Sequence, residues 1–291
     1  MNDGLIADAF DKYFYVTRAT TPETRELAFR IRYQVYCQEF HFEREEDCPG
    51  QMERDIYDDR SEHCLLIHKP TSTPMGCVRL ILPDRGCRAS MPFERFCASQ
   101  FSFAPIPAPS SPVLLPLSEK VARRTIIPSL RRVHGMSLYT LPRDSFCEVS
   151  RLAVLSTFRR RESDEKKPIS FPETTSAGGD RSSFPLIPLS LFLASLSRFL
   201  NSAHEYAFAM MEPRLARLLK RFGLIFTMVG NVVDYHGQRG PFVYTRRRAV
   251  NNLDPQIYAL LQLIDSQLAC SDRIGNNQRD VKPAIVSARA L

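Results

Sequence analysis

The spacing of apolar positions changes several times along the chain, and each change marks an element. Over 22 to about 40, Leu27, Ile31 and Val35 recur at intervals of four, the repeat of one helical face. Thr21 can cap this helix, and Pro22 suits its first position. Arg32 and Tyr36 fall on a second stripe of the same helix. A polar, acid-rich segment covers 41–61. Two unbroken apolar runs follow, over 63–68 and 75–82, joined by a Pro- and Thr-containing turn, and they predict a hairpin.

Prolines interrupt 83–112, where a short helix is expected around Phe93–Ala98. A basic, helix-like stretch spans 114–133, and 146–154 alternates as a strand does. The stretch 159–183 is rich in charge, Pro, Gly and Ser and reads as a mobile insertion. A helix is expected at 186–203 and a strand at 205–211. A second helix starts at Pro213 and is closed by Gly223. Strands then follow over 224–230 and 241–245, and a last helix over 254–269. The whole predicts one main α/β (α+β) domain over 13–250, a mixed central sheet flanked by helices, with a helix and loose tail over 251–291.

Composition narrows the class. Of the 291 residues, 44% are hydrophobic and 24% charged, which is globular rather than disordered. The net charge of +7 favours acidic partners without choosing among them. Eight cysteines include no Cys-x-x-Cys pair, so zinc-type spacing is absent, no metal is expected, and free thiols fit a reducing, cytoplasmic setting. The acidic start lacks the basic region of a signal peptide, and no run reaches the roughly 18 apolar residues of a membrane span. No helix-turn-helix or nucleic-acid motif supports a nucleic-acid partner.

Four constellations could carry chemistry. Glu53, Asp55 and Asp58 put three carboxylates in six residues, which need a cationic partner if they fold together. By spacing alone the better reading of them is a solvated acidic loop. Arg79 stands in an apolar strand three residues after Gly76, so it faces either solvent or a buried partner. Glu148 and Arg151 lie on one strand at an odd spacing, on opposite faces unless a bulge intervenes. Arg32, Tyr36 and Phe42 belong to, or just follow, the first helix, where an ordinary amphipathic surface would explain them too.

Their joint order is more specific. Arg32, Tyr36, Phe42, then Glu-x-Asp-x-x-Asp, then Gly-x-x-Arg-Leu, then Glu-x-Ser-Arg resembles the acyl-homoserine-lactone autoinducer synthases over about 25–155. The later Arg-Phe-Gly and Val233-Asp234-Tyr235-His236-Gly237-Gln238-Arg239 are similar to N-acyl amino acid synthases, and to acyltransferase-like proteins associated with PEP-CTERM/exosortase systems. This extends the resemblance to about 13–246.

The resemblance implies a GCN5-related N-acetyltransferase (GNAT) fold and transfer of a fatty acyl group from an acyl carrier protein thioester to a small amine acceptor, with no bound cofactor. No Gly-rich pyrophosphate loop follows 146–154, which favours carrier protein over coenzyme A (acyl-CoA) as donor. Catalytic roles would fall to Glu53, Asp55, Asp58, Arg79, Glu148 and Arg151. Arg32, Tyr36, Phe42 and Ser150 would bind substrate, with the arginines tying the acids together or holding an acceptor carboxylate. Backbone N–H groups of 146–154 would stabilise the oxyanion, and Phe and Leu of the late helices would line the acyl tunnel. Arg123, Arg124, Arg131 and Arg132 would dock the acidic carrier protein. The alternatives are a lactone signal synthase and a nonenzymatic acyl-carrier or lipid-binding module. A Cys–His pair using His236 has no cysteine assigned to it.

Overall fold

The computed structural model describes residues 5–83, 90–97, 141–158, 186–246 and 252–277. The chain opens with α1 (Leu5–Tyr13) and β1 (Phe14–Arg18), neither of which the apolar spacing had marked. Helix α2 (Pro22–Arg32) begins as expected: the Thr21 hydroxyl accepts from the Thr24 N–H at 3.3 Å, and Pro22 follows it. The expected helix does not run on unchanged. Tyr33–Glu39 widens into a π-helix, which alters the phase of the residues beyond Arg32. Ile31 and Val35 are buried as the spacing implies, whereas Leu27 is exposed and Ala28 and Phe29 are buried in its stead.

The hairpin is present as β2 (Ser61–His68) and β3 (Thr73–Ile81). It is followed by the short α3 (Pro92–Cys97) and by β4 (Phe146–Val154). Then come α4 (Leu186–Asn201), β5 (Tyr206–Met211) and α5 (Pro213–Lys220). Strands β6 (Thr227–Met228), β7 (Val233–Asp234) and β8 (Gln238–Thr245) precede the last helix, α6 (Pro255–Asn277). The strand expected over 224–230 is reduced to two residues. Gly223 ends the α5 turn at φ +82°, and the Asn252 carbonyl lies 1.8 Å from where a Cβ would stand. The basic stretch 114–133 and the insertion 159–183 lie outside the described residues.

The strands form one mixed sheet in the order β1-β2-β3-β4-β5-β8-β6, with β7 paired to β8. All pairings are antiparallel except β4 with β5. That parallel pairing ends at Val149 opposite Ala209, while β4 runs on to Val154. The two strands thus share only the first part of β4.

Helices cover both faces. On one, Ile6 and Phe10 of α1, Leu189 and Leu193 of α4, and Leu260 and Ile264 of α6 meet Leu66, Val78 and Leu80 of the sheet in a single core. Helix α6 therefore belongs to the same core as the domain, and the side-chain Oε1 of its Gln267 accepts the Val16 N–H of β1 at 2.9 Å. On the other face, Ala28 and Ile31 pack on Leu65, Cys77 and Ala153, and Phe93, Phe146 and Phe208 form a smaller aromatic core. Gly76 lets α4 and β4 close on β3, since a Cβ there would stand 2.7 Å from the Ala153 carbonyl and 2.9 Å from Leu191.

Candidate active site

Folding brings the first half's charged residues together on the α2 face of the sheet. Arg32 projects from the end of α2 and is fully enclosed. Its Nε pairs with Glu53, and its Nη atoms reach Asp58 at 2.6 and 3.1 Å. Arg79, on β3, donates to Asp55 at 2.6 Å, to Asp58 at 2.8 Å and to the Ser150 hydroxyl at 3.0 Å. Asp58 is the shared acid between the two guanidiniums, and it also accepts the Asp55 N–H at 2.7 Å. Burial alone would raise its pKa. The charge and hydrogen bonds of Arg32, then the charge of Arg79, outweigh burial and hold the carboxyl well below the usual range. Glu53 and Asp55 are held low in the same way, against burial, by Arg32 and Arg79 respectively.

Arg151 completes the cluster through an irregularity in β4. Cys77 pairs with Ala153 and Arg79 with Ser150, so two β4 residues stand opposite Val78 alone. Arg151 occupies this bulge at φ +50°. The bulge turns Arg151 to the face that carries Arg79 and Ser150, which a regular strand would have denied it. There it donates to Glu53 at 3.1 Å and to Glu43 at 3.2 Å, and lies 3.5 Å from Asp55. Its guanidinium lies over the Tyr36 ring, 5.4 Å from the centroid, and the Tyr36 hydroxyl donates to the Leu152 carbonyl at 2.9 Å. Burial pushes the Tyr36 hydroxyl up to about 12, so it stays protonated as a donor.

Glu148 stands on the same face as Ser150, two residues earlier in β4. It is buried and accepts the Phe93 N–H at 3.1 Å. Burial pushes its pKa up to about 8, despite that hydrogen bond and the charge of Arg79. His63 lies beneath the cluster, its Nε2 3.6 Å from Asp58, and burial pulls it down to about 4. It is therefore neutral at pH 7.

The late hairpin reaches the same place. Between β7 and β8, Tyr235, His236 and Gly237 make a tight turn, with His236 at φ +51°, Gly237 at +96° and the Tyr235 N–H donating to the Gly237 carbonyl. The His236 ring stacks on Phe42 at 4.4 Å, and Phe40 stacks on Phe42 at 5.1 Å. Arg239 lies over the Phe42 ring at 5.7 Å. Burial and the charges of Arg239 and Arg151 lower the His236 pKa.

Glu53, Asp55, Asp58, Arg79, Arg151, Arg32, Tyr36 and Ser150 thus form one connected cluster. Phe42 adjoins it, and Glu148 stands beside it on β4. Arg32 has no exposed surface, and its ion-pair partners among the described residues are Glu53 and Asp58. Arg151 pairs with Glu43, Glu53 and Asp55 and also meets Tyr235 and the Tyr36 ring, so neither is placed as an open carboxylate clamp. Arg123, Arg124, Arg131 and Arg132 lie outside the described residues. Glu43, Tyr235 and Arg239 were not singled out individually from the sequence. Glu43 sat in an acid-rich segment that gave no reason to choose it, whereas Tyr235 and Arg239 stood in the late motif.

On the opposite face, the point where β4 and β5 separate borders a small apolar cavity. Val149, Phe192, Leu196, Phe199, Phe226 and Tyr244 are among its lining residues. Among the described residues, no group of three or more His, Cys, Asp or Glu side chains is placed to hold a metal ion, and no helix is long and apolar enough to cross a membrane.

Residues 31–140 match the family described as the Acetyltransferase (GNAT) domain. The mixed sheet with helices on both faces has the GNAT architecture. Similar solved structures include FeeM, an N-acyl amino acid synthase from uncultured soil microbes, at 12% identity and TM-score 0.47, covering 82% of this chain and 94% of that one. They also include the CoA-dependent acyl-homoserine lactone synthase BjaI, at 17% identity and TM-score 0.47, with 90% of each chain covered. The acyl-homoserine lactone synthase LasI aligns at 14% identity and TM-score 0.45, over 83% of this chain and 95% of that one. No curated protein matches in sequence.

Proposed function

We propose that this chain is an N-acyltransferase that moves a fatty acyl group from a carrier-protein thioester to the amine of an amino acid or similar small amine. The observation that carries this reading is the two-sided character of the β4–β5 separation. Charged groups lie on one face of β4, and an apolar cavity lies behind Val149 on the other. A thioester laid across the separation would place its carbonyl near the charged side and the head of its alkyl chain at the cavity, whose apolar lining would have to part to admit the rest of a fatty chain.

The acceptor amine must first lose a proton. With a pKa of roughly 8–10 that costs little near neutral pH, and the Glu43–Asp55 rim can assist. The nitrogen lone pair then attacks the thioester carbon. Backbone N–H groups along β4 beyond Val149, where β5 no longer pairs, are the donors proposed for the oxyanion. As the tetrahedral centre collapses, the C–S bond breaks and the carrier leaves as a thiolate, which takes from Glu148 the proton that Glu148 receives from the nitrogen. The nitrogen's second proton passes to Glu148, whose raised pKa suits it to take and release a proton near neutrality.

Asp58, Arg32 and Arg79 would hold the geometry rather than touch substrate, with Asp55, Glu43, Ser150 and Arg151 nearer the acceptor. Carrier-protein docking on Arg123, Arg124, Arg131 and Arg132, and a setting linked to an exosortase system, belong to the same proposal and rest on the sequence. The test is to supply carrier protein loaded with chains of eight to sixteen carbons, together with a pool of amino acids, and to read products by mass spectrometry. N-acyl amino acids that disappear in Glu148→Gln, with unchanged circular dichroism, are expected. Thioester left intact across the pool would refute the transferase reading.

A further inference from the structure

The arginines of the cluster are committed to its acids. Arg32 is divided between Glu53 and Asp58, and Arg79 between Asp55, Asp58 and Ser150. Arg151 is divided among Glu43, Glu53 and Asp55. An incoming carboxylate could engage any of them only by displacing an acid already in place. The four acids Glu43, Glu53, Asp55 and Asp58 outnumber these three arginines, so the rim suits an ammonium group and repels an anion.

Arg239 is different. It extends from β8 over the Phe42 ring, and its Nε is shut off from solvent with no hydrogen-bond partner among the described residues. No carboxylate lies within ion-pair distance of it among those residues. A shielded guanidinium donor without an acceptor is unfavourable, and a planar fork of this kind matches a carboxylate.

The position of Arg239 is also fixed. It pairs with Val233 across the hairpin whose tip holds His236 against Phe42. Tyr235, at that tip, lies within the fields of Arg151, Glu43 and Arg239 together, and His236 within those of Arg239 and Arg151. The acid rim and the unengaged cation therefore flank one aromatic group built from Tyr36, Phe42, Tyr235 and His236.

Resting on the N-acyltransferase reading above, we propose that Arg239 binds the carboxylate of the acceptor. The acceptor is then an α-amino acid, its amine at the Glu43–Asp55 rim and its carboxylate on Arg239, across the Phe42–His236 stack. The separation of an acidic rim from a free guanidinium selects a zwitterion over a simple amine.

The experiment compares amino acids with their α-amides as acceptors, using the full chain and a loaded carrier protein. Wild type should favour the acid by about ten- to a hundredfold in kcat/KM, the range of one lost charged hydrogen bond. Arg239→Met, which keeps an unbranched chain against Phe42, should raise KM for the acid alone, leave kcat near wild type and abolish the preference. Arg239→Lys should restore part of it. An acid-to-amide ratio unchanged in Arg239→Met would overturn the anchor.

If no acceptor is acylated by any form, the transferase reading falls separately, and titration calorimetry of the amino acids into the protein alone decides the anchor. Binding present in wild type and absent in Arg239→Met supports it. Equal binding in both, or none in wild type, overturns it.

Discussion

Replacing Asp58 by alanine removes the acid on which two enclosed guanidiniums converge. Asp58 has no exposed surface. It takes two hydrogen bonds from Arg32, one from Arg79 and one from the Asp55 N–H. The variant leaves Arg32 with Glu53, Arg79 with Asp55, and a void where the carboxylate stood. Breaking a buried pair of this kind costs about 3–5 kcal/mol, a large share of the roughly 5–15 kcal/mol that holds a domain folded. The natural control is Asp11→Ala, which deletes an exposed hydrogen bond from Gln267 Nε2 at 3.0 Å and an ion pair with Lys69, the Asp11 and Lys69 side chains being 52% and 36% exposed, respectively. That pair is worth at most about 1 kcal/mol. The chain has no tryptophan, so urea unfolding is followed by far-ultraviolet circular dichroism. At a slope of about 3 kcal/mol per molar urea, Asp58→Ala should lower the midpoint by about 1 M or more, and Asp11→Ala by about a third of that or less. Equal midpoints for the two variants would refute the view of Asp58 as the keystone of the cluster.

Further outcomes follow from the same geometry. Glu148 is more protonated folded than unfolded, so between its ordinary value near 4.5 and about 8 it makes stability fall as pH rises, by up to about 1.4 kcal/mol per pH unit. Glu148→Gln should flatten that slope in urea titrations at several pH values, and an unchanged slope would contradict its burial as the cause. Glu53, Asp55 and Asp58 act in the opposite sense. Their stabilisation is complete above the ordinary carboxylate range near 4 and is lost as pH falls below it, so acid unfolding should move to higher pH in Asp58→Ala. Gly76→Ala forces a Cβ against the Ala153 carbonyl and should cost about 1–3 kcal/mol by the same urea assay, with no loss expected if the strands can part freely. Leu196→Trp fills the apolar cavity and should shift preference toward shorter acyl chains in a competition between loaded carriers, whereas an unchanged preference would place the chain elsewhere.

What the sequence revealed depended on whether the controlling interaction was local. The β2–β3 hairpin, the Thr21 cap and the Gly223 stop were legible because apolar runs, a capping hydroxyl and a glycine act within a few residues. Helix α1 and β1 were missed because they are short and held by α6, some 250 residues away by way of Val16 and Gln267. The acids and arginines could be listed from their order, but not paired. Glu148 and Arg151 share a face only because Arg151 adopts a positive φ in a bulge, and nothing in Ser-Arg-Leu announces that conformation. Arg239 is a further case. The sequence showed an arginine in a late motif, and only the fold shows that it stands beside Phe42 with no acid paired to it among the described residues.

The most direct test of the whole account is mass spectrometry of the reaction between the purified chain, a fatty acyl carrier protein and a mixture of amino acids. N-acyl amino acids are expected, formed with loss of the thioester and dependent on Glu148. Intact thioester beside unmodified amino acids, from a folded protein that still binds the carrier, would contradict it and leave an acyl-carrier-binding module in its place.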